Sequence, residues 1–222
     1  MRTLIEGFQR FRREVFEARR ALFERLAEGQ HPEALFITCS DSRIDPNLIT
    51  HAEPGQLFFL RNIVPAYGTG GESEAAAVEF AVSVLKVRDI IVCGHSHCGA
   101  MKGALNPESV AALPAVAGWV AQAAATAQAV RDENPDCEPA ALLDRMVQRN
   151  VLAQLENLRT HPVVAAALER GELELHGWVY RFEAGEVLAH SPASGAFVPL
   201  TDAEAARALS AEPGRQETLK QA

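Results

Sequence analysis

Several things are scarce in this chain of 222 residues, and each scarcity excludes something. No apolar run approaches the roughly 18 residues needed to span a bilayer, and the amino terminus "MRTLIEGFQRFRREVFEARR" has no apolar core of the kind a secretory leader carries. A membrane partner is therefore not expected, and the expected compartment is the cytoplasm. Positive charge is in deficit, 21 Lys and Arg against 29 Asp and Glu for a net −8. The one dense basic run, Arg10 to Arg25, is interleaved with Glu14, Glu17 and Glu24, which argues against a nucleic-acid surface. Cysteine is limited to Cys39, Cys93, Cys98 and Cys137. In a reducing compartment four cysteines read as metal ligands, reactive thiols or core fillers before they read as disulfides. Internal repeats and low-complexity tracts are also absent from the sequence.

What is present is a globular pattern, 48% apolar, in a length that suits one α/β domain. Leu4, Ile5, Phe8, Phe11, Val15, Leu22 and Leu26 recur at helical spacing and predict one amphipathic helix over 3–28, stopped by Gly29 and His31-Pro32. Three apolar runs follow that read as buried strands, 34–39, 57–61 and 89–94, the last ending abruptly at Gly94. Helical patterns at 72–87, 114–132 and 139–159 separate and follow them. A fourth strand over 172–180, a turn at Ala184-Gly185 and an antiparallel edge strand over 185–190 complete the prediction. Apolar strands alternating with helices imply a central, mostly parallel sheet flanked by helices. The expected organisation is an N-terminal helical arm over 1–30, a single α/β domain over 31–210 and a C-terminal tail over 211–222.

Ligands of open α/β sheets collect at the carboxyl ends of the strands. Two cysteine-bearing motifs stand there, "CSDSR" from Cys39 to Arg43 and "HSHC" from His95 to Cys98. Neighbouring strands lie about 4.8 Å apart, so Cys39, His95 and Cys98 can meet although far apart in sequence. Cys-His-Cys is a zinc donor set with room for a fourth ligand. His95 and Cys98 are one helical turn apart, which favours His95 over His97 as the imidazole, with His97 the alternative. Two thiolates offset the metal's charge and weaken it as a Lewis acid, so help from neighbouring side chains is needed. Asp41 can accept a hydrogen bond from the fourth ligand, and Arg43 can fork onto that carboxylate and keep it off the metal. Cys93 reads as a buried small residue and Cys137 as an exposed thiol.

Together "LFITCSDSRIDPNLIT", "PGQLFFLRNIVP", "CGHSHCGAMKG" and "LHGWVY" resemble the β-class carbonic anhydrases, over a span from about Leu4 to Leu200. The resemblance implies Zn²⁺, one ion per chain, on Cys39, His95 and Cys98, with Asp41 and Arg43 as a catalytic dyad. It implies reversible hydration of CO₂ to bicarbonate and a proton. It also implies substrate contacts from Gln30, Phe58 and Gly99, with Phe58 supplied by a partner subunit in a homodimer or tetramer. Phe80 and Val84 depart from the family's tyrosine and histidine positions, which leaves the proton's route open. Some relatives close their own site by placing the dyad aspartate on the metal and binding bicarbonate through Trp, Arg and Tyr. Arg61 and Tyr180 match two of those positions, but Phe36 replaces the tryptophan and has no N–H, so an open site is expected. Three rivals remain at this level: the same site acting on COS or CS₂, a non-catalytic zinc-stabilised assembly protein, and a cysteine phosphatase. The last would need an arginine about six residues past Cys39, where Asp45 stands.

Overall fold

The computed structural model describes residues 1–200. The expected tail over 211–222 and the last ten residues of the expected domain lie outside the described residues.

The chain begins with α1 (Arg2–Arg10) and continues through a π-helical stretch (Phe11–Phe16) and a 3-10 turn (Glu17–Arg19) into α2 (Arg20–Glu28). The single helix expected over 3–28 is thus broken. The backbone leaves helical geometry at Arg19, with φ −124° and ψ 24°. Aromatic packing explains the break: in a straight helix Phe11 and Phe23 would be about 18 Å apart, yet their rings lie 5.6 Å apart, and Phe16 packs tilted against the Phe23 ring at 5.3 Å. No residue of α1 or α2 is buried.

Six strands then form one sheet in the order β2-β1-β3-β4-β5-β6. β1 (Ala34–Thr38), β2 (Leu57–Leu60), β3 (Asp89–His95) and β4 (Glu174–Arg181) are parallel. β5 (Glu186–Ser191) and β6 (Ala196–Pro199) run antiparallel, so the antiparallel edge is two strands wide and the short β6 is its outer member. The turn between β4 and β5 has Gly185 at φ 63°, a left-handed position that glycine adopts without a side-chain clash. Between the strands lie α3 (Pro46–Thr50), α4 (Glu72–Ser83), α5 (Gly99–Leu105), α6 (Pro114–Val120), α7 (Ala124–Glu133), α8 (Pro139–Arg159) and α9 (Pro162–Glu169).

The helix expected over 114–132 is two helices joined by a 3-10 turn (Ala121–Ala123). The Trp119 indole N–H donates to Asn62 Oδ1 at 2.9 Å and ties α6 to the segment after β2, whereas α7 buries Ala127 and Val130 in the main core. The helix α9 was not foreseen, because Pro162 reads as a terminator; in fact it occupies the first helical position, where its missing N–H costs nothing.

The larger core lies on the face covered by α4, α5 and α8, around Leu35, Ile37, Ile90, Val92, Met146 and Val151. A smaller cluster on the other face holds Phe36, Ile44, Ile91 and Cys93 under Trp178, Tyr180 and Phe182. Gly94 does not end its strand, as the sequence suggested; β3 runs on to His95. The glycine is there because α8 comes close: a Cβ at Gly94 would lie 2.9 Å from both Val147 Cγ1 and Val151 Cγ2.

Candidate metal and catalytic site

β1 and β3 are neighbours, with Thr38 level with Cys93, so the segments leaving their carboxyl ends converge. Cys39 follows β1, His95 closes β3, and Cys98 stands immediately before α5. One donor atom from each of the three lies within 4.8 Å of the other two. His95 and Cys98 are buried and Cys39 is partly so.

The imidazole of His95 is oriented for this role. Its Nδ1 lies 2.9 Å from the Ser96 carbonyl oxygen, and since a carbonyl only accepts, Nδ1 carries the hydrogen. Its Nε2, stripped of solvent, has no hydrogen-bond partner among the described residues. A buried nitrogen lone pair with no partner is costly unless something electrophilic meets it. The two thiols supply the counterpart. The Cys39 thiol is pushed well below its ordinary value, chiefly by a hydrogen bond from Cys98 and further by the backbone N–H of Asp41. Cys98 moves the other way, since it would have to ionise beside that thiolate in a buried setting. One thiolate, a second thiol that a bound cation would deprotonate, and a neutral imidazole form a borderline-soft donor set that fits a zinc ion.

A second cluster provides a contrast. Asp89, Glu174 and His176 also bring donor atoms within 4.8 Å, at the amino ends of β3 and β4. There the imidazole Nε2 is already engaged, 2.8 Å from Asp89 Oδ1. A hydrogen bond accounts for that imidazole nitrogen, whereas nothing among the described residues accounts for His95 Nε2.

Beside the three donors stand Asp41 and Arg43. The guanidinium donates from Nε to Oδ1 at 3.0 Å and from Nη2 to Oδ2 at 2.7 Å, and the Arg43 backbone N–H adds a bond to Oδ1 at 2.9 Å. The Arg43 hydrogen bond holds the Asp41 carboxyl well below the usual carboxylate range. The loop that carries both is itself fixed. Ser40 Oγ donates to the Arg61 carbonyl at 2.7 Å, and Arg61 returns bonds to the carbonyls of Asp41 at 3.0 Å and Ile44 at 3.1 Å. Asp45 then caps α3 by accepting from the N–H of Asn47 and Leu48. A cavity of about 540 Å³ adjoins the three donors, bounded on its apolar side by Val92, Trp119 and Val151.

The remaining expected residues do not all gather here. Gly99 opens α5 directly after Cys98, with open space at its Cα. Phe58 is level with Leu35, four residues before Cys39 and therefore roughly 13 Å below it along the sheet. Gln30 precedes β1 at that same amino end. Within one chain neither is brought to the donors. His97, the alternative imidazole, has φ 57° and places Nε2 3.5 Å from Glu183, away from the thiols. Three neighbours were not seen in the sequence: Ser96, Phe182 and Glu183. The Phe182 ring lies 5.1 Å from that of His95 and 4.8 Å from the Arg43 Cζ. Only the serine inside "HSHC" could have pointed to them.

A parallel α/β sheet presenting Cys, His and Cys at adjacent strand ends, beside a clamped carboxylate, defines the class of a metal-dependent enzyme acting on a small substrate. The comparisons agree. The carbonic anhydrase family model matches residues 34–187. A carbonic anhydrase from Pseudomonas aeruginosa is 51% identical over 218 residues, covering 97% of this chain and 99% of that one. Among solved structures, the β-carbonic anhydrase CcaA superposes with a TM-score of 0.87 at 50% identity, covering 90% of this chain and 98% of that one. Tetrameric β-carbonic anhydrases from Sordaria macrospora reach a TM-score of 0.67 at 29% identity, covering 85% and 92%. The chain belongs to the β-class carbonic anhydrases, zinc enzymes whose reaction is the hydration of carbon dioxide.

Proposed function

We propose that this chain interconverts CO₂ and bicarbonate at the site formed by Cys39, His95 and Cys98, with one zinc ion per chain. The observation that carries this assignment of residues is the unpartnered, buried Nε2 of His95 converging with two cysteine sulfurs. Bound there, zinc would supply the Lewis acidity that makes water a nucleophile near neutral pH. The work of the chain's own groups is positional. Asp41, ionised and held by Arg43, offers an acceptor that takes up a proton-bearing edge of the attacking water and turns its lone pair toward the substrate. Arg43 keeps that carboxylate from swinging onto the donors, which fits an open site. Phe36 supports the same reading, because it offers no donor to a bicarbonate beside Arg61, and the Arg61 guanidinium already donates to Asp41 and Ile44. The apolar wall of the cavity suits a neutral, linear substrate.

We assign Gln30 and Phe58 to the site of a partner subunit, and Gly99 to the substrate-facing backbone. Support comes from the roughly 13 Å that separates Phe58 from Cys39 along one chain, and from the exposed apolar side chains of α1. The proposed assembly is a homodimer, paired or not into a tetramer like the Sordaria macrospora enzymes. Residues 1–30 are assigned as an assembly arm on the α/β domain. Cytoplasmic residence is proposed because Cys39 and Cys98 must stay reduced; among the described residues no helix is long and apolar enough to cross a membrane.

Stopped-flow CO₂ hydration, with and without a chelator and with metal analysis, tests the assignment. The expected result is chelator-sensitive hydration and about one zinc per chain, lost together in Cys39→Ser, His95→Ala and Cys98→Ser but kept in His97→Ala. Retention of zinc in His95→Ala with loss in His97→Ala would reverse the choice of imidazole. Hydrolysis of COS without CO₂ hydration would move the substrate assignment.

A further inference from the structure

The hydrogen that fixes the His95 tautomer goes to the carbonyl of the next residue, and that carbonyl stands where β3 has just ended. The chain turns out of the strand at that point, with the next residue, His97, at φ 57°. Here it is held by the corner between β4 and β5. The Ser96 N–H donates to the Tyr180 carbonyl at 2.9 Å. The Ser96 hydroxyl donates its single proton to Glu183 Oε2 at 2.8 Å and accepts from the Phe182 N–H at 3.0 Å. Every polar atom of Ser96 is thereby engaged: N–H, hydroxyl donor, hydroxyl acceptor and carbonyl. Ser96 is buried, while its carboxylate partner Glu183 is half exposed. The same corner places the Phe182 ring against both His95 and the Arg43 guanidinium.

We propose that Ser96 is a positioning residue for His95: its hydroxyl, clamped by Phe182 and Glu183, orients the carbonyl that keeps the hydrogen on Nδ1 and leaves Nε2 free for the metal. A neutral imidazole can carry its hydrogen on either nitrogen, and only one of the two forms presents a lone pair to the thiols. The clamp selects that form before metal arrives. Partners of this kind, one step removed from a metal, typically change affinity or activity by about 10–100-fold when removed. Glu183, half exposed, is the outer anchor; it also approaches His97 Nε2 at 3.5 Å and accepts from Arg181 at 3.3 Å, and it reaches His95 through the serine hydroxyl.

This inference rests on the assignment of His95 as a ligand, and the test separates the two. Zinc-loaded full-length protein is diluted into a chromogenic chelator and zinc release is timed, for wild type, Ser96→Ala, Ser96→Thr and Glu183→Ala. In parallel, ¹⁵N-histidine spectra of the metal-free chains report the His95 tautomer. Ser96→Ala is expected to release zinc about 10–100-fold faster and to show the Nε2-protonated form, while Ser96→Thr, which keeps the hydroxyl, keeps the wild-type tautomer and releases zinc more slowly than Ser96→Ala. Glu183→Ala moves in the same direction by a smaller factor, and it decides the matter if Ser96→Ala does not fold. Wild-type release rates and an unchanged tautomer in Ser96→Ala, or in Glu183→Ala where that variant decides, overturn the positioning role and leave the ligand assignment intact. A wild-type chain that holds no zinc through His95 removes the assignment itself.

Discussion

Arg43 grips Asp41 by both carboxylate oxygens, at 3.0 Å and 2.7 Å, from only two residues away. Such a fork fixes direction as well as charge. Because it lowers the folded-state pKa of Asp41, the carboxylate is ionised throughout the working range. Whatever the pair contributes to stability is present above the ordinary carboxylate pKa and is lost only as pH falls through the depressed folded value. An activity profile that falls toward acid above pH 5 should therefore report another group and keep its midpoint in Asp41→Asn. That variant and Arg43→Ala should both retain zinc while hydration falls by about 10–100-fold. Their causes differ: Arg43→Ala frees the carboxylate to reach the metal, so a crystal structure of that zinc-loaded variant should show Asp41 in place of the water ligand, whereas Asp41→Asn should keep the water. Full activity in Arg43→Ala would dissociate the fork from function.

The three-donor site was legible because metal chemistry restricts residue type and strand ends restrict place: "CSDSR" and "HSHC" left few other ways to combine Cys39, His95 and Cys98. The parallel sheet was legible for a similar reason, since strands buried on both faces must be apolar throughout, as β1 is. What stayed hidden depends on contacts distant in sequence. The break at Arg19 follows from Phe11 meeting Phe23, a pairing that helical periodicity cannot express. The clamp on Ser96 runs through backbone atoms of Tyr180 and Phe182, and backbone atoms carry no sequence signal. β6 was missed because Ala196–Pro199 is short and only half-buried.

Gly94 offers a test of packing next to the site. A methyl group there would meet Val147 and Val151 of α8 at 2.9 Å, with the strand fixed on both sides by β1 and β4. Overpacking of this kind costs about 1–3 kcal/mol. Gly94→Ala should lower the urea midpoint accordingly with an unchanged denaturant slope. Unchanged stability would mean that α8 shifts freely, and His95 geometry, read from zinc affinity, should then shift with it.

Cys93 lies one strand position from Gly94, on the smaller core, and burial pushes its thiol up to about 12. In the folded protein it should resist iodoacetamide at pH 8.5 while the partly exposed Cys137 reacts. Between pH 9, its ordinary value, and about 12, the unfolded chain has lost this proton and the folded chain has kept it. Unfolding then releases a proton, so stability falls as pH rises, by about 1.4 kcal/mol per pH unit from this group alone. Chemical denaturation at pH 8 and pH 10 should show a smaller alkaline loss in Cys93→Ala than in wild type. An identical loss would place the thiol in contact with water.

The arm formed by α1 and α2 has an apolar stripe that the other described residues do not cover: Leu4 is 73% exposed and Phe8 59%. Exposed apolar side chains in a contiguous stripe mark an interaction surface. Its attachment to the domain includes an ion pair between Arg19 and Glu53, and exposed pairs of this kind are weak. The stripe and the displaced Phe58 raise one expectation from two directions, namely that a second copy covers the first and receives the second. Full-length protein should sediment as a dimer or tetramer at micromolar concentration. Removal of residues 1–28 should yield monomer or aggregate that still binds zinc, since Cys39, His95 and Cys98 all lie in the sheet domain, but with hydration reduced. Phe58→Ala should leave assembly intact and lower activity, because its ring would be missing from the neighbour's site while the arm remains in place. A fully active monomer lacking residues 1–28 would show that one chain suffices and would return Phe58 to its own core, against Phe80 at 6.0 Å.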